Sequence, residues 1–67
     1  MNQQQAFIAL LEAERTASRK TWSQIAREAG LSRSTLLRLV HGAAVLSDVI
    51  WALYDWLDAQ DAAELQQ

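Results

Sequence analysis

Residues 22–41 read Trp22-Ser23-Gln24-Ile25-Ala26-Arg27-Glu28-Ala29-Gly30-Leu31-Ser32-Arg33-Ser34-Thr35-Leu36-Leu37-Arg38-Leu39-Val40-His41. The spacing predicts two short helices, residues 22–29 and 33 to about 41, meeting at the corner Gly30-Leu31-Ser32. Thr21 followed three residues later by Gln24 is a capping box, in which each side chain satisfies a backbone N–H at the helix start. Gly30 is the stop, because only glycine takes the left-handed conformation there without steric cost. Ser32 caps the second helix and Gly42 ends it as Gly30 ends the first. Ile25 and Ala29 lie one turn apart, Ala26 is small enough for two helices to cross closely, and Leu31 plugs the corner. Leu36 and Leu39 anchor the second helix, leaving Arg33, Ser34, Leu37, Arg38 and His41 facing outward.

Apolar residues recur at helical spacing throughout, so the chain is expected to be all-α. A helix over about residues 4–17 would turn Phe7, Leu10, Leu11, Ala13 and Ala17 inward and Glu12, Glu14 and Arg15 outward. Residues 16–20 lack a large apolar side chain and read as an exposed turn. Residues 43–46 read as a linker. Ser47 and Asp48 cap and charge the start of a fourth helix, which either runs on through Leu65 or bends near Asp58 into a short fifth. At 100° per residue Val49, Ile50, Leu53, Trp56 and Leu57 share one face, Trp51 lies nearly opposite and Tyr54 between. Either the fold buries Trp51 against the first helix, or Trp51, Tyr54 and Leu65 form a dimer seam.

With 67 residues the chain is expected to be one domain, 1–67, too short to stabilise itself easily on its own core. A partner is therefore expected, with residues 47–67 as the dimerisation segment. The chain has no Cys and one His, which removes disulfides and argues against zinc. Asp48, Asp55, Asp58, Asp61 and Glu64 are spread along a helix without a His or Cys partner, as on a solvated face. No enzyme activity, metal, cofactor or small-molecule ligand is expected. No apolar run is long enough to span a bilayer, and Met1-Asn2-Gln3-Gln4-Gln5 does not start a secretory signal, so a soluble cytoplasmic protein without membrane contact is expected.

The net charge of −2 would by itself argue against nucleic acid. The distribution reverses that inference. All six Lys and Arg residues lie within residues 15–41 with Glu28 the sole acid among them, a local net charge of +5, while the other seven acids flank this segment. Short helices joined by Gly-Leu-Ser, the second one basic, form a helix-turn-helix pattern. Its outward residues are mainly donors and cations, suited to base edges and phosphates.

In Ile25-Ala26, Ala29-Gly30-Leu31-Ser32, Leu36, Leu39, Gly42, Ile50, Leu53 and Trp56-Leu57 the chain resembles the Cro and phage-repressor type of helix-turn-helix protein, the Xre-like family. The resemblance covers about residues 6–58. It departs at Trp22, where a Gln is frequent, and at Lys20, where an apolar residue is common. It implies a compact lambda-repressor-like bundle of four or five helices that binds operator DNA as a dimer. Arg33, Ser34 and Arg38 match positions that look into the major groove. Thr21, Ser23 and Thr35 match backbone-contacting positions, and Arg19, Lys20 and Arg27 are phosphate partners from the flanks. Trp22 is expected to pack as a staple with its indole N–H reaching a phosphate, and His41 to lie between a helix C-terminal role and a phosphate contact.

The expected function is thus sequence-specific binding of double-stranded DNA by a homodimeric transcriptional repressor or autoregulator on an inverted-repeat operator. Phage or mobile-element regulators, including those accompanying anti-defence genes, are the type implied. The alternatives are the antitoxin of a toxin–antitoxin pair, and a helical protein-interaction adaptor that binds no DNA.

Overall fold

A computed structural model describes the backbone of residues 2–65 and the side chains of residues 2–62. Among the described residues the chain is all-α: α1 Gln3–Ser18, α2 Trp22–Ala29, α3 Arg33–Val40 and α4 Ser47–Leu65. Side-chain caps open the first three helices. Asn2 Oδ1 accepts from the Gln5 N–H at 2.8 Å while Gln5 Oε1 accepts from the Asn2 N–H at 3.2 Å. The Thr21–Gln24 box is formed as expected, at 3.1 and 3.0 Å, and Ser32 Oγ accepts from the Thr35 N–H at 3.2 Å.

α1, α2 and α3 all end in the same motif, a left-handed residue whose N–H and successor N–H bond back to the last turn. At α2 this residue is Gly30 (φ 75°), with Leu31 N–H donating to the Ala26 carbonyl at 2.8 Å. At α3 it is Gly42 (φ 90°), one residue beyond His41, with Ala43 N–H donating to Arg38. At α1 it is Arg19 (φ 58°), with Lys20 N–H donating to Arg15.

Three local expectations are corrected. Residues 16–18, expected in a turn, continue α1: the Ser18 hydroxyl donates to the Glu14 carbonyl at 2.7 Å, and the helix stops only at Arg19. Ser47 belongs to the first turn of α4 instead of capping it, since the Val49 N–H donates to the Leu46 carbonyl. α4 then runs unbroken to Leu65, so no fifth helix forms among the described residues.

The core is contributed by all four helices. Leu11, Ile25, Leu36, Leu39 and Leu53 are fully buried, with Phe7, Ala26, Val49 and Trp56 around them. Burial of such a large aliphatic side chain contributes about 1.5–3 kcal/mol. In α1 the buried line runs through Phe7 and Leu11 toward half-buried Glu14 and Ser18, and Leu10 is 51% exposed. Ala13 and Ala17 are exposed as well, against expectation. At 100° per residue these three lie on the order of 70° or more from the buried line. The Gln4 side chain donates to the Ala43 carbonyl at 3.0 Å, tying the first turn to the α3–α4 linker. α2 is approached closely by both α3 and α4, so the corner rests on a packed base.

Candidate nucleic-acid interface

The α2–α3 corner positions the candidate surface. Ala26 is 1% exposed, and its missing bulk lets α3 cross close to α2. A Cβ at Gly30 would meet nothing within 4 Å, so glycine is required there by backbone angle and not by space. Leu31 sits half-buried against the core beneath the turn.

Along α3, Leu36 and Leu39 point into the core while Arg33, Ser34, Arg38 and His41 are exposed, and Thr35 and Leu37 are half-buried. The Ser32 hydroxyl donates to Thr35 Oγ1 at 2.7 Å, which leaves the Thr35 O–H to donate to an outside acceptor. Arg19, Arg27, Arg33 and Arg38 form no ion pair and no side-chain hydrogen bond among the described residues. Four guanidiniums with fixed fork geometry and no partner are suited to phosphates and guanine edges. Thr21 and Ser23 are exposed at the start of α2, and His41 is exposed at the end of α3, its N–H donating to the Leu37 carbonyl at 3.0 Å.

Lys20 is placed differently from its expected role. Its ammonium lies 2.7 Å from Glu28 Oε1 and 3.1 Å from Gln60 Oε1, and 5.7 Å from the centroid of the Trp56 ring. The Trp56 indole N–H donates to the same Glu28 oxygen at 2.8 Å. Hydrogen bonds from Lys20 and then Trp56 hold the Glu28 carboxyl below its usual value. Lys20 therefore braces the α1–α2 junction and α2 against α4. These partners lie 8 and 40 residues away in sequence, so local spacing carries no sign of them.

Trp22 is half-buried against the core, in agreement with the staple expectation, and the Arg15 guanidinium lies over its ring at 5.1 Å. The Trp22 indole N–H has no acceptor among the described residues. Sequence reading placed Arg15 on the polar face of α1, but it is half-buried and its Nε is enclosed without a hydrogen-bond partner.

On α4 the solvent side carries Trp51 at 68% exposure and Tyr54 at 45%, with ring centroids 6.0 Å apart. Trp51 is therefore not buried against α1. Tyr54 lies against Phe7 at 4.7 Å. Leu46, at 74% the most exposed large apolar residue among those described, sits in a linker where no periodic signal marks it. Leu65 lies outside the described side chains. Asp48, Asp55, Asp58 and Asp61 are exposed along α4, and Asp48 lines one surface groove with Thr35 and Arg38.

Among the described residues no group of three His, Cys, Asp or Glu is placed to hold a metal, and no helix is long and apolar enough to cross a membrane. The chain matches no protein-family model, no curated protein and no solved structure, so its functional reading rests on the chemistry of these residues.

Proposed function

We propose that the protein is a sequence-specific double-stranded-DNA-binding transcriptional regulator, a dimeric repressor or autoregulator of phage or mobile-element type acting on an inverted-repeat operator. The observation that carries this reading is α3 itself: a helix anchored by Leu36 and Leu39 that presents Arg33, Ser34 and Arg38, without side-chain partners among the described residues, beside a Gly30 corner. In this reading Arg33, Ser34 and Arg38 address base edges. Arg19, Thr21, Trp22, Ser23, Arg27, Thr35 and His41 hold the sugar–phosphate backbone. A bidentate Arg–guanine contact discriminates against a wrong base by about 1–3 kcal/mol.

The reading includes a two-fold dimer with recognition helices in successive major grooves about 34–36 Å apart. The molecule measures 35 × 26 × 20 Å, a size of the same order as that spacing. Trp51 and Tyr54, with Leu65 further along α4, supply the seam, since aromatic anchors dominate protein contacts.

Selection of bound sequences from random duplex DNA at two salt concentrations tests the reading. A palindrome should be enriched, and log affinity should fall with log salt by about 0.9 per phosphate neutralised. Arg38→Ala should relax preference at one base pair, whereas Arg27→Ala should weaken all sequences alike. Failure to enrich any motif overturns the regulator.

Exposed Asp55, Asp58 and Asp61, further along α4 from Trp51, favour the antitoxin as second reading, because an acidic segment complements a basic protein. Co-purification of a basic partner from the native host discriminates it. A DNA-independent adaptor would instead keep its function in Arg33→Ala and Arg38→Ala.

A further inference from the structure

Leu37 is an apolar side chain that the fold covers only in part. It follows fully buried Leu36 by one residue, 100° around α3, and keeps some exposure where Leu36 and Leu39 have none at all. Val40, three residues on, packs against the core; among the described residues Leu37 does not belong to that layer. Its neighbours on the exposed side are Ser34 one turn before, Arg38 beside it and His41 one turn after, all exposed and polar. An aliphatic group in such a row gains free energy only when something apolar covers it. In a major groove the apolar feature is the C5-methyl group of a pyrimidine.

We propose that Leu37 is a specificity-determining residue that packs on the C5-methyl of one major-groove pyrimidine, between the bases addressed by Ser34 and Arg38. This rests on the regulator reading above. The stretch from Ser34 to His41 rises about 10 Å along the helix axis, enough to pass about three base pairs. Leu37 lies near its middle, where a guanidinium on one side and a hydroxyl on the other define the flanking bases. Both thymine and 5-methylcytosine carry the methyl group in question.

The test uses the full chain and the palindrome recovered by selection. Each thymine is replaced singly by deoxyuridine, which removes the methyl and keeps the base pair. Wild type should lose about four-fold in affinity at one position per half-site, the equivalent of about 0.8 kcal/mol for one buried methyl-sized group. In Leu37→Ala that position should become insensitive to the exchange, and in Leu37→Met the sensitivity should persist. At the same position 5-methylcytosine should bind more tightly than cytosine if the methyl alone is read; equal binding of the two, with the deoxyuridine loss retained, restricts the contact to thymine. A flat deoxyuridine scan with normal operator affinity overturns the Leu37 contact and leaves the regulator standing. So does a sensitive position that Leu37→Ala leaves unchanged. If no duplex is bound specifically, the regulator reading fails and this proposal falls with it. Unchanged circular dichroism and thermal melting of both variants separate readout from folding.

Discussion

The α1–α2 and α2–α3 junctions share one backbone solution and differ in what occupies it. Both place a left-handed residue after a helix and return two N–H groups to the preceding turn. At the second junction Gly30 takes φ 75° freely. At the first, Arg19 takes φ 58° with a side chain attached, a conformation that costs an L-residue about 1–2 kcal/mol. The first junction also carries the Lys20–Glu28–Trp56 brace, and among the described residues nothing equivalent spans the second. The α2–α3 corner thus holds its shape through glycine and the core beneath, whereas the α1–α2 junction is held by polar side chains and keeps a free cation at a conformational cost.

The largest test of this contrast is core truncation. Leu36→Ala, under the second junction, should destabilise by about 2–5 kcal/mol in urea denaturation. In the regulator reading it should also weaken operator binding beyond the loss in folded fraction, because α3 loses its anchor.

Next is the corner glycine. Gly30→Ala should cost about 1–2 kcal/mol, and Gly30→Asn less, since the open space around Gly30 leaves only backbone strain to act. Equal destabilisation by Ala and Asn would show that the two junctions are not governed by the same angle.

Glu28→Gln tests the brace. The loss at pH 7 should be about 0.2–1 kcal/mol, as for a partly exposed pair. The folded-state pKa of Glu28 is lowered, so its contribution is present above the unfolded value near 4.5 and disappears as pH falls through the folded value. The gap between wild type and Glu28→Gln, followed by urea melts from pH 7 to pH 3, should therefore close on acidification; a constant gap would remove the carboxylate from the explanation.

The smallest effect runs in the opposite direction. Arg19→Gly should gain about 0.5–1 kcal/mol of stability by relieving the left-handed conformation. In the regulator reading it should also flatten the salt dependence of DNA binding by about one phosphate. Higher stability with unchanged salt slope would mean that Arg19 touches no phosphate.

Local signals made the second junction legible. The Thr21–Gln24 box, Gly30, Ser32 and Gly42 lie within a few residues of what they control, and each is formed where the spacing predicts. Asn2 and Gln5 obey the same rule and cap α1. The buried line of α1 was harder to read, because alanines occur on both sides of Phe7 and Leu11 and only the placement of α2 and α4 decides which side is covered. The candidate site divides in the same way. Exposure of Arg33, Ser34 and Arg38 follows from the period of α3, but the diversion of Lys20 depends on Glu28 and Gln60 meeting it across the fold. Trp51 was legible as lying opposite the core line of α4, while Leu46 carried no periodic signal at all.

The three tryptophans also give the molecule three separate optical reporters. Trp56 is buried with its N–H on a carboxylate, Trp22 lies beneath a guanidinium beside the cationic surface, and Trp51 stands in water. Single-tryptophan variants should accordingly report different events: unfolding and acidification through Trp56, DNA addition through quenching of Trp22, and self-association through a blue shift of Trp51. In the regulator reading each of these events can then be timed from emission alone, without an attached dye.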